Sequence, residues 1–357
     1  MSIRDYLVFL ADKAGSDLHL KAGGPAYARL DGELEPIESL PTLTPDMTHA
    51  MAMEMMQPSD VPRFDAGREV DFAYSLPKVG RFRVAVFRQR GSVGLVLRRV
   101  LPGAQEFDSL GLPPAVRRLS EEHRGLVLVT GPTGSGKTTT TAAMVSHINA
   151  TRRCHIVTIE DPIEVLHRDN RAIIDQREIG VDTDSFATAM RAVARQDPDV
   201  IFIGEMRDPE TVLAALQAAE TGHFVLSTLH TTDATETVNR IIDFFEPHQQ
   251  HQIRLSMANS LKGIVCQRLL PQVGGGRVAA IECLVMTSRL HEYITDADKT
   301  NQLEDGIAEG EYYGMQTFDQ HLLTLYRDSR VTLKDALNAS TSPHDLRIAV
   351  RAAGLAG

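Results

Sequence analysis

Gly131-Pro132-Thr133-Gly134-Ser135-Gly136-Lys137-Thr138 has the residue types and the order needed to hold a phosphate chain. Glycines let a backbone curl until several N–H groups face one anion, and a helix beginning there adds its positive end. The ammonium of Lys137 is placed to reach β- and γ-phosphates, and the hydroxyl of Thr138 to hold Mg²⁺. A glycine turn that merely joined a strand to a helix would not require Lys followed by Thr at these two places. The pattern implies nucleotide binding, with Gly131 through Thr139 as the contact residues.

Hydrolysis needs more than a cradle: a carboxylate must stand near the γ-phosphate and the metal. Two acidic groups follow apolar runs, where a parallel sheet places its active site. Glu160, Asp161 and Glu164 come after the run at His155–Ile159, and Glu205 comes after the run at Val200–Ile203. Gly204 occupies the place where many phosphate-loop enzymes carry a metal-binding aspartate, so the metal or water work falls to Glu205 with the earlier cluster. Helix capping is the competing explanation, and Asp161 before Pro162 suits it. His223 and His230 bracket the run Phe224–Leu229. Each alone reads as a hydrogen-bonded histidine at a strand end. Beside Ser227, Thr228, Thr231 and Thr232, His230 becomes a candidate sensor of the γ-phosphate.

These groups need elements to hold them. Apolar runs at Leu126–Thr130, His155–Ile159, Val200–Ile203 and Phe224–Thr228 alternate with helical segments between residues 115 and 285. That alternation predicts an α/β core with a mostly parallel sheet. Residues 1–100 predict a separate α+β domain. It has a helix over Ile3–Lys13 stopping at Gly15, a Thr44-Pro45-Asp46 helix start, and a turn at Asp31-Gly32. In Arg81-Phe82-Arg83-Val84-Ala85-Val86-Phe87-Arg88 the even positions up to Val86 are apolar, while Arg81 and Arg83 stand on the other face. A solvated edge is the ordinary reading of such a face. Residues 101–114, punctuated by Pro and Gly, predict a linker. Residues 286–357 predict a helical tail with an amphipathic stripe of Phe318, Leu322, Leu325 and Tyr326.

Composition removes several alternatives. No apolar run reaches the roughly 18 residues of a membrane span, and the N-terminal residues lack an export pattern, so a cytoplasmic protein is expected. The net charge of −10 argues against a broad nucleic-acid surface, and no nucleic-acid partner is expected. Cys154, Cys266 and Cys283 have no metal-ligand spacing and read as small buried apolar residues.

Taken in order, the motifs resemble the secretion-type motor ATPases, most closely the PilT-like retraction ATPases of bacterial type IV pili. The matching stretches are Val129 through Thr139, Ile159-Glu160-Asp161-Pro162-Ile163-Glu164, and Arg195 through Asp199 with Gly204-Glu205-Met206-Arg207-Asp208. Gly222-His223-Phe224 through Ser227-Thr228-Leu229-His230-Thr231 follows. Ser16 through Leu20, Gly80 through Val84 and Gly314 through Asp319 extend the likeness to nearly the whole chain. The resemblance implies a RecA-like P-loop motor domain, a PAS-like N-terminal domain and a helical C-terminal region, assembled as a homo-hexamer. It implies ATP and Mg²⁺, with Thr138 and Glu205 toward the metal. It also implies catalytic roles for Glu160, Asp161, Glu164, Glu205 and His230, with Glu164 or Glu205 orienting the water. N-terminal arginines, Arg81 and Arg83 with Arg98 as a further candidate, would complete the site.

The implied work is pilus disassembly and twitching motility, at the inner face of the cytoplasmic membrane. The implied partners are an inner-membrane platform protein and a paralogous pilus ATPase. One stretch departs: retraction ATPases usually carry Ala-Ile-Arg-Asn-Leu-Ile-Arg-Glu after the last core strand, where this chain has Ser288 through Ile294. An accessory PilU-like role stays open, as does, further off, an extension or secretion ATPase.

Lys137→Ala is expected to abolish ATP turnover while the chain stays folded, checked by phosphate release and circular dichroism. Undiminished phosphate release would overturn the assigned site.

Overall fold

A computed structural model describes residues 2–30, 32–67 and 69–355. They fall into two units: residues up to Pro102 together with Glu164–Leu166, and Gly103–Ile163 together with the chain from His167. The first unit contains strands β1 (Asp17–Lys21), β2 (Tyr27–Leu30), β3 (Glu33–Pro36), β4 (Val70–Leu76), β5 (Gly80–Gln89) and β6 (Ser92–Pro102). Then come β7 (Gly125–Thr130), β8 (His155–Glu160) and β9 (Val165–Leu166), the last belonging to the first unit. The second unit continues with β10 (Ile173–Glu178), β11 (Val200–Ile203), β12 (Phe224–Leu229), β13 (Leu261–Pro271) and β14 (Arg277–Val285).

In the first unit the sheet order is β3-β2-β1-β6-β5-β4, all antiparallel, with β9 running parallel beside β6. Helix Ile3–Asp12 buries Ile3, Tyr6, Leu7 and Leu10 in this unit's core. It ends a residue earlier than its periodicity predicts, and Ala14 rather than Gly15 takes the left-handed turn, at φ 53°. Gly15 is required by space instead: a Cβ there would lie 2.6 Å from Leu10 Cδ1. Thr44 caps helix Pro45–Met55 through the N–H of Met47 at 3.2 Å. Asp31 of the expected turn lies outside the described residues.

The alternation in β5 holds, with Phe82, Val84 and Val86 fully buried and Arg83 exposed. Register aligns Arg29, Asp17, Arg98 and Arg83 in one row across β2, β1, β6 and β5. Asp17 lies 2.7 Å from Arg98 and 3.7 Å from Arg29. Burial pushes its carboxyl up, but Arg98, Ser16 and the charge of Arg29 outweigh that and hold it below its usual value.

The second unit is a seven-stranded sheet in the order β10-β8-β11-β12-β7-β13-β14, parallel except for β14. Alternate residues of its strands feed two apolar layers. Leu126, Leu128, Ile201, Ile203 and Val225 pack with helices Phe186–Val193, Pro209–Glu220 and Ala234–Asp243. Val127, Val129, Val200, Phe202 and Leu226 pack with helices Pro114–Ser120 and Lys137–Thr151. This double-sided burial is why the strands read as continuous apolar runs. Phe107, in the short 3-10 turn Phe107–Leu110, joins the second layer beneath the Arg117 guanidinium. Cys266 and Cys283 are buried as expected, whereas Cys154 is only half-buried; none is bridged.

Past β14 the chain is helical: Ser288–Thr295, Leu303–Ala308, Phe318–Arg327, Leu333–Ala339 and Pro343–Ala352. Phe318, Leu322 and Leu325 are buried, and His321 beside them accepts the N–H of Ile281 in β14 on Nδ1 at 2.9 Å. Only a neutral imidazole can accept there, and burial holds its pKa down to about 4. An unfolded histidine titrates near about 6.5. Between those values the unfolded chain binds a proton that the folded chain refuses. The contribution of His321 is therefore full above about pH 6.5 and is lost as pH falls toward about 4. His321→Gln removes that titration. The difference in urea midpoint between parent and variant is expected to shift in the variant's favour from about pH 7.5 to about pH 5. A pH-independent difference would count against it.

Candidate active site

β7 ends at Thr130, the backbone turns through Gly131–Gly136, and a helix of 15 residues starts at Lys137. Gly131, Gly134 and Gly136 have φ of 144°, 80° and 93°. At Gly131 the close approach is as important as the angle, because a Cβ would lie 2.4 Å from the Gln267 carbonyl of β13. Pro132, Thr133, Gly134 and Thr138 are exposed, Gly136 and Thr139 are half-buried, and Ser135 and Lys137 are buried. The hydroxyl of Ser135 is shielded and has no partner among the described residues. Lys137 Nζ donates to the carbonyls of Gly131 at 2.7 Å and Pro132 at 3.0 Å. Burial draws this ammonium below its ordinary pKa, and the charge of Glu205 offsets part of that.

A buried cation, a helix start and an orphaned hydroxyl around one glycine loop fit a phosphate group. The fit to Mg²⁺ is different. No group of three or more His, Cys, Asp or Glu among the described residues is placed to hold a metal. Thr138 and one carboxylate, with phosphate oxygens and water completing the shell, suit the coordination habit of Mg²⁺.

The sheet order decides what faces Lys137. β12 lies between β7 and β11, so the residues after these three parallel strands emerge side by side on one edge. His230, after β12, lies 3.5 Å from Lys137 Nζ through Nδ1 and 3.3 Å from Glu205 Oε2 through Nε2. Glu205, after β11, also pairs with Arg207 at 2.7 Å, and Arg207 lies 3.9 Å from Asp161, after β8. The result is one polar chain, Lys137–His230–Glu205–Arg207–Asp161. Its backbone is pinned. Thr228 Oγ1 donates to the Gly204 carbonyl at 2.6 Å, and Met206 N donates to the Thr228 carbonyl at 3.2 Å.

Other candidate residues are placed differently. Glu160 is buried at the end of β8 and accepts from Thr158 Oγ1 at 2.7 Å and Gln176 Nε2 at 3.1 Å. No helix follows Asp161-Pro162, so the capping explanation for Asp161 fails. His223 is at the opposite end of β12, with Nδ1 3.0 Å from the Ala218 carbonyl, and plays the structural role. Glu164, Arg81, Arg83 and Arg98 belong to the first unit.

Two residues carried no assignment from the sequence. Arg207 bridges two acids, and its signal was its place between a buried Met206 and the helix-capping Asp208. Glu282 is a buried acid in an apolar strand that accepts the N–H of Ala234 at 2.8 Å, anchoring the helix beyond His230. Burial raises its pKa to about 7 against the pull of that hydrogen bond.

Residues 11–276 match the family described as Type II/IV secretion system protein. The chain belongs to that family. It is 41% identical over 345 residues to the type IV pilus retractation ATPase PilT of Pseudomonas aeruginosa, spanning 97% of this chain and 100% of that one. It is 39% identical over 352 residues to the type IV pilus ATPase PilU of the same organism, spanning 98% and 92%. A crystal structure of the pilus retraction motor PilT with bound ADP matches at a TM-score of 0.90 and 44% identity, over 98% of this chain and 99% of that one. The fold is accordingly the mixed α/β, RecA-like fold of these proteins with a helical C-terminal region, and the chain is an ATPase.

At Gly204 a side chain would fit tightly against the end of β8. A Cβ on Gly204 would lie 3.3 Å from the Ile159 carbonyl and 3.4 Å from Glu160 Cα. Gly204→Asp, which restores the commoner acid, is therefore expected to lower both turnover and melting temperature. Wild-type turnover in that variant would show that the acid's place is not fixed by space.

Proposed function

We propose that the chain is the ATP-driven motor subunit of type IV pilus retraction, acting as a ring of six identical copies. The observation that carries the chemistry is the continuous contact chain from the buried Lys137 through His230 to Glu205. Support for the cellular role comes from near full-length identity to a pilus retraction ATPase.

Gly131 through Thr139 bind the triphosphate of ATP, with backbone N–H groups and Lys137 taking its charge. Mg²⁺ neutralises charge across the phosphates when bound, and Thr138 and Glu205 are the residues to hold it. Glu205, or Glu164 from the other unit, orients the attacking water, and Glu160 and Asp161 supply negative charge beside it. His230 touches both the lysine and the acid, so it registers whether a phosphate has drawn Lys137 away. Arginines of the first unit complete the site, an effect worth about 10³–10⁵ in rate in related phosphoryl transfers. Arg83 is the foremost candidate, because it is exposed and pairs with no carboxylate among the described residues, whereas Arg98 is held by Asp17. Arg81 donates to Ser75 at 3.2 Å on the same strand pair. Force passes to an inner-membrane platform protein, which brings the ring to the cytoplasmic face of the membrane.

A PilU-like accessory role is the second reading, favoured by the 39% identity to PilU and by the departure at Ser288 through Ile294. Deleting the gene distinguishes the two readings. Retraction predicts excess surface pili with lost twitching. The accessory reading predicts tight ATP binding, negligible turnover by the purified protein alone, and recovery when a paralogue is added. Normal pili and normal twitching in the deletion strain would sink both.

A further inference from the structure

We propose that Arg207 is a positioning residue for the hydrolytic step, fixing one oxygen of Glu205 and tying that carboxylate to the Asp161 loop. The inference rests on the ATPase reading of Glu205 above and adds a residue to it. The geometry is specific about which oxygen is used. Arg207 and His230 both address Oε2 of Glu205, at 2.7 and 3.3 Å. Oε1 meets no donor among the described residues, so one oxygen is held and the other is left for a water. A carboxylate gripped at one oxygen keeps a single direction, which is what water activation requires.

The backbone at Arg207 is built to aim it. On one side Met206 is buried and hydrogen-bonded to the end of β12. On the other, Asp208 caps helix Pro209–Glu220, accepting from the N–H and the hydroxyl of Thr211, both at 2.8 Å. Between these anchors the guanidinium projects back toward Asp161, 3.9 Å away. A planar group with separated N–H donors holds two carboxylates from different strand ends in a fixed geometry, which the rotatable ammonium of a lysine does not impose.

Fold stability is a poor explanation for this residue. Its side chain is 59% exposed, and exposed ion pairs contribute on the order of 0–1 kcal/mol. Asp161 and Glu205 follow β8 and β11, adjacent strands of the sheet. Arg207 makes the two loops behave as one acidic wall.

The test uses the full-length protein and five variants: R207Q, R207K, D161N, R207Q/D161N and E205Q. Steady-state kcat and KM for Mg·ATP, affinity for a fluorescent ATP analogue, and thermal unfolding are measured for each. R207Q is expected to lose about 10- to 100-fold in kcat with nucleotide affinity held within about threefold. R207K should recover only part of the loss. The losses in R207Q and D161N should be less than additive in R207Q/D161N, because both lesions cut the same link, and strictly additive losses would count against that link. If R207Q lowers the melting temperature, the kcat-to-affinity comparison in R207K decides instead. Unchanged kcat in R207Q, with E205Q inactive, overturns the inference and leaves the ATPase reading standing. Affinity falling in step with kcat makes Arg207 a nucleotide ligand and also overturns it. Full turnover by E205Q removes the assigned role of Glu205, and the inference with it.

Discussion

An ammonium withdrawn from water is the constraint on which the site depends. Lys137 is 8% exposed, and burying a charge costs several kcal/mol unless oxygen atoms replace the lost water. Two carbonyls of its own loop do this directly, while His230 and Glu205 supply a second, more distant acceptor system. A triphosphate offers a stronger set of oxygens at the same place. On the proposed function, exchanging carbonyls for phosphate would release the lysine from the loop and alter what His230 meets. Binding and sensing would then be consequences of one cation changing partners.

The first unit solves a related problem with an acid at its centre. Three arginines and one aspartate share a row across four strands, and Asp17 pairs with two of the three cations. Repulsion within the row is thereby reduced, and Arg83 is the member that pairs with no carboxylate among the described residues. A face that reads from sequence as a generic solvated edge is in fact graded, with paired arginines on one side of the sheet and Arg83 toward the other. Exposure alone would not have separated these residues; the cross-strand register does.

Where a signal was local, the sequence revealed it. The phosphate loop, the capping of helix Pro45–Met55 by Thr44 and the buried alternation of β5 each depend on neighbours within a few positions. Strand β10, Ile173–Glu178, was not legible, because it is an edge strand whose polar residues resemble a loop. The polar chain at the site was illegible for a different reason. Its members are separated by dozens of residues, and only the insertion of β12 between β7 and β11 brings them together. Arg207 lies within a recognised motif, yet nothing in its spacing indicates that it spans two acids. The helix stop expected at Gly15 is the opposite case: the helix ends at Asp12, and Gly15 instead leaves room for Leu10 and Leu30.

The tight fit at Gly204 disfavours a side chain there, and the acid stands one residue later and one methylene longer than usual. A Cβ would lie 3.3 Å from the Ile159 carbonyl, so the end of β8 would have to give by a few tenths of an ångström to admit a short carboxylate. A longer arm has more rotamers and so needs more holding. The two contacts on Oε2 supply it. Every residue of this arrangement lies between Lys137 and His230, well before the stretch Ser288 through Ile294 where the chain departs from retraction ATPases.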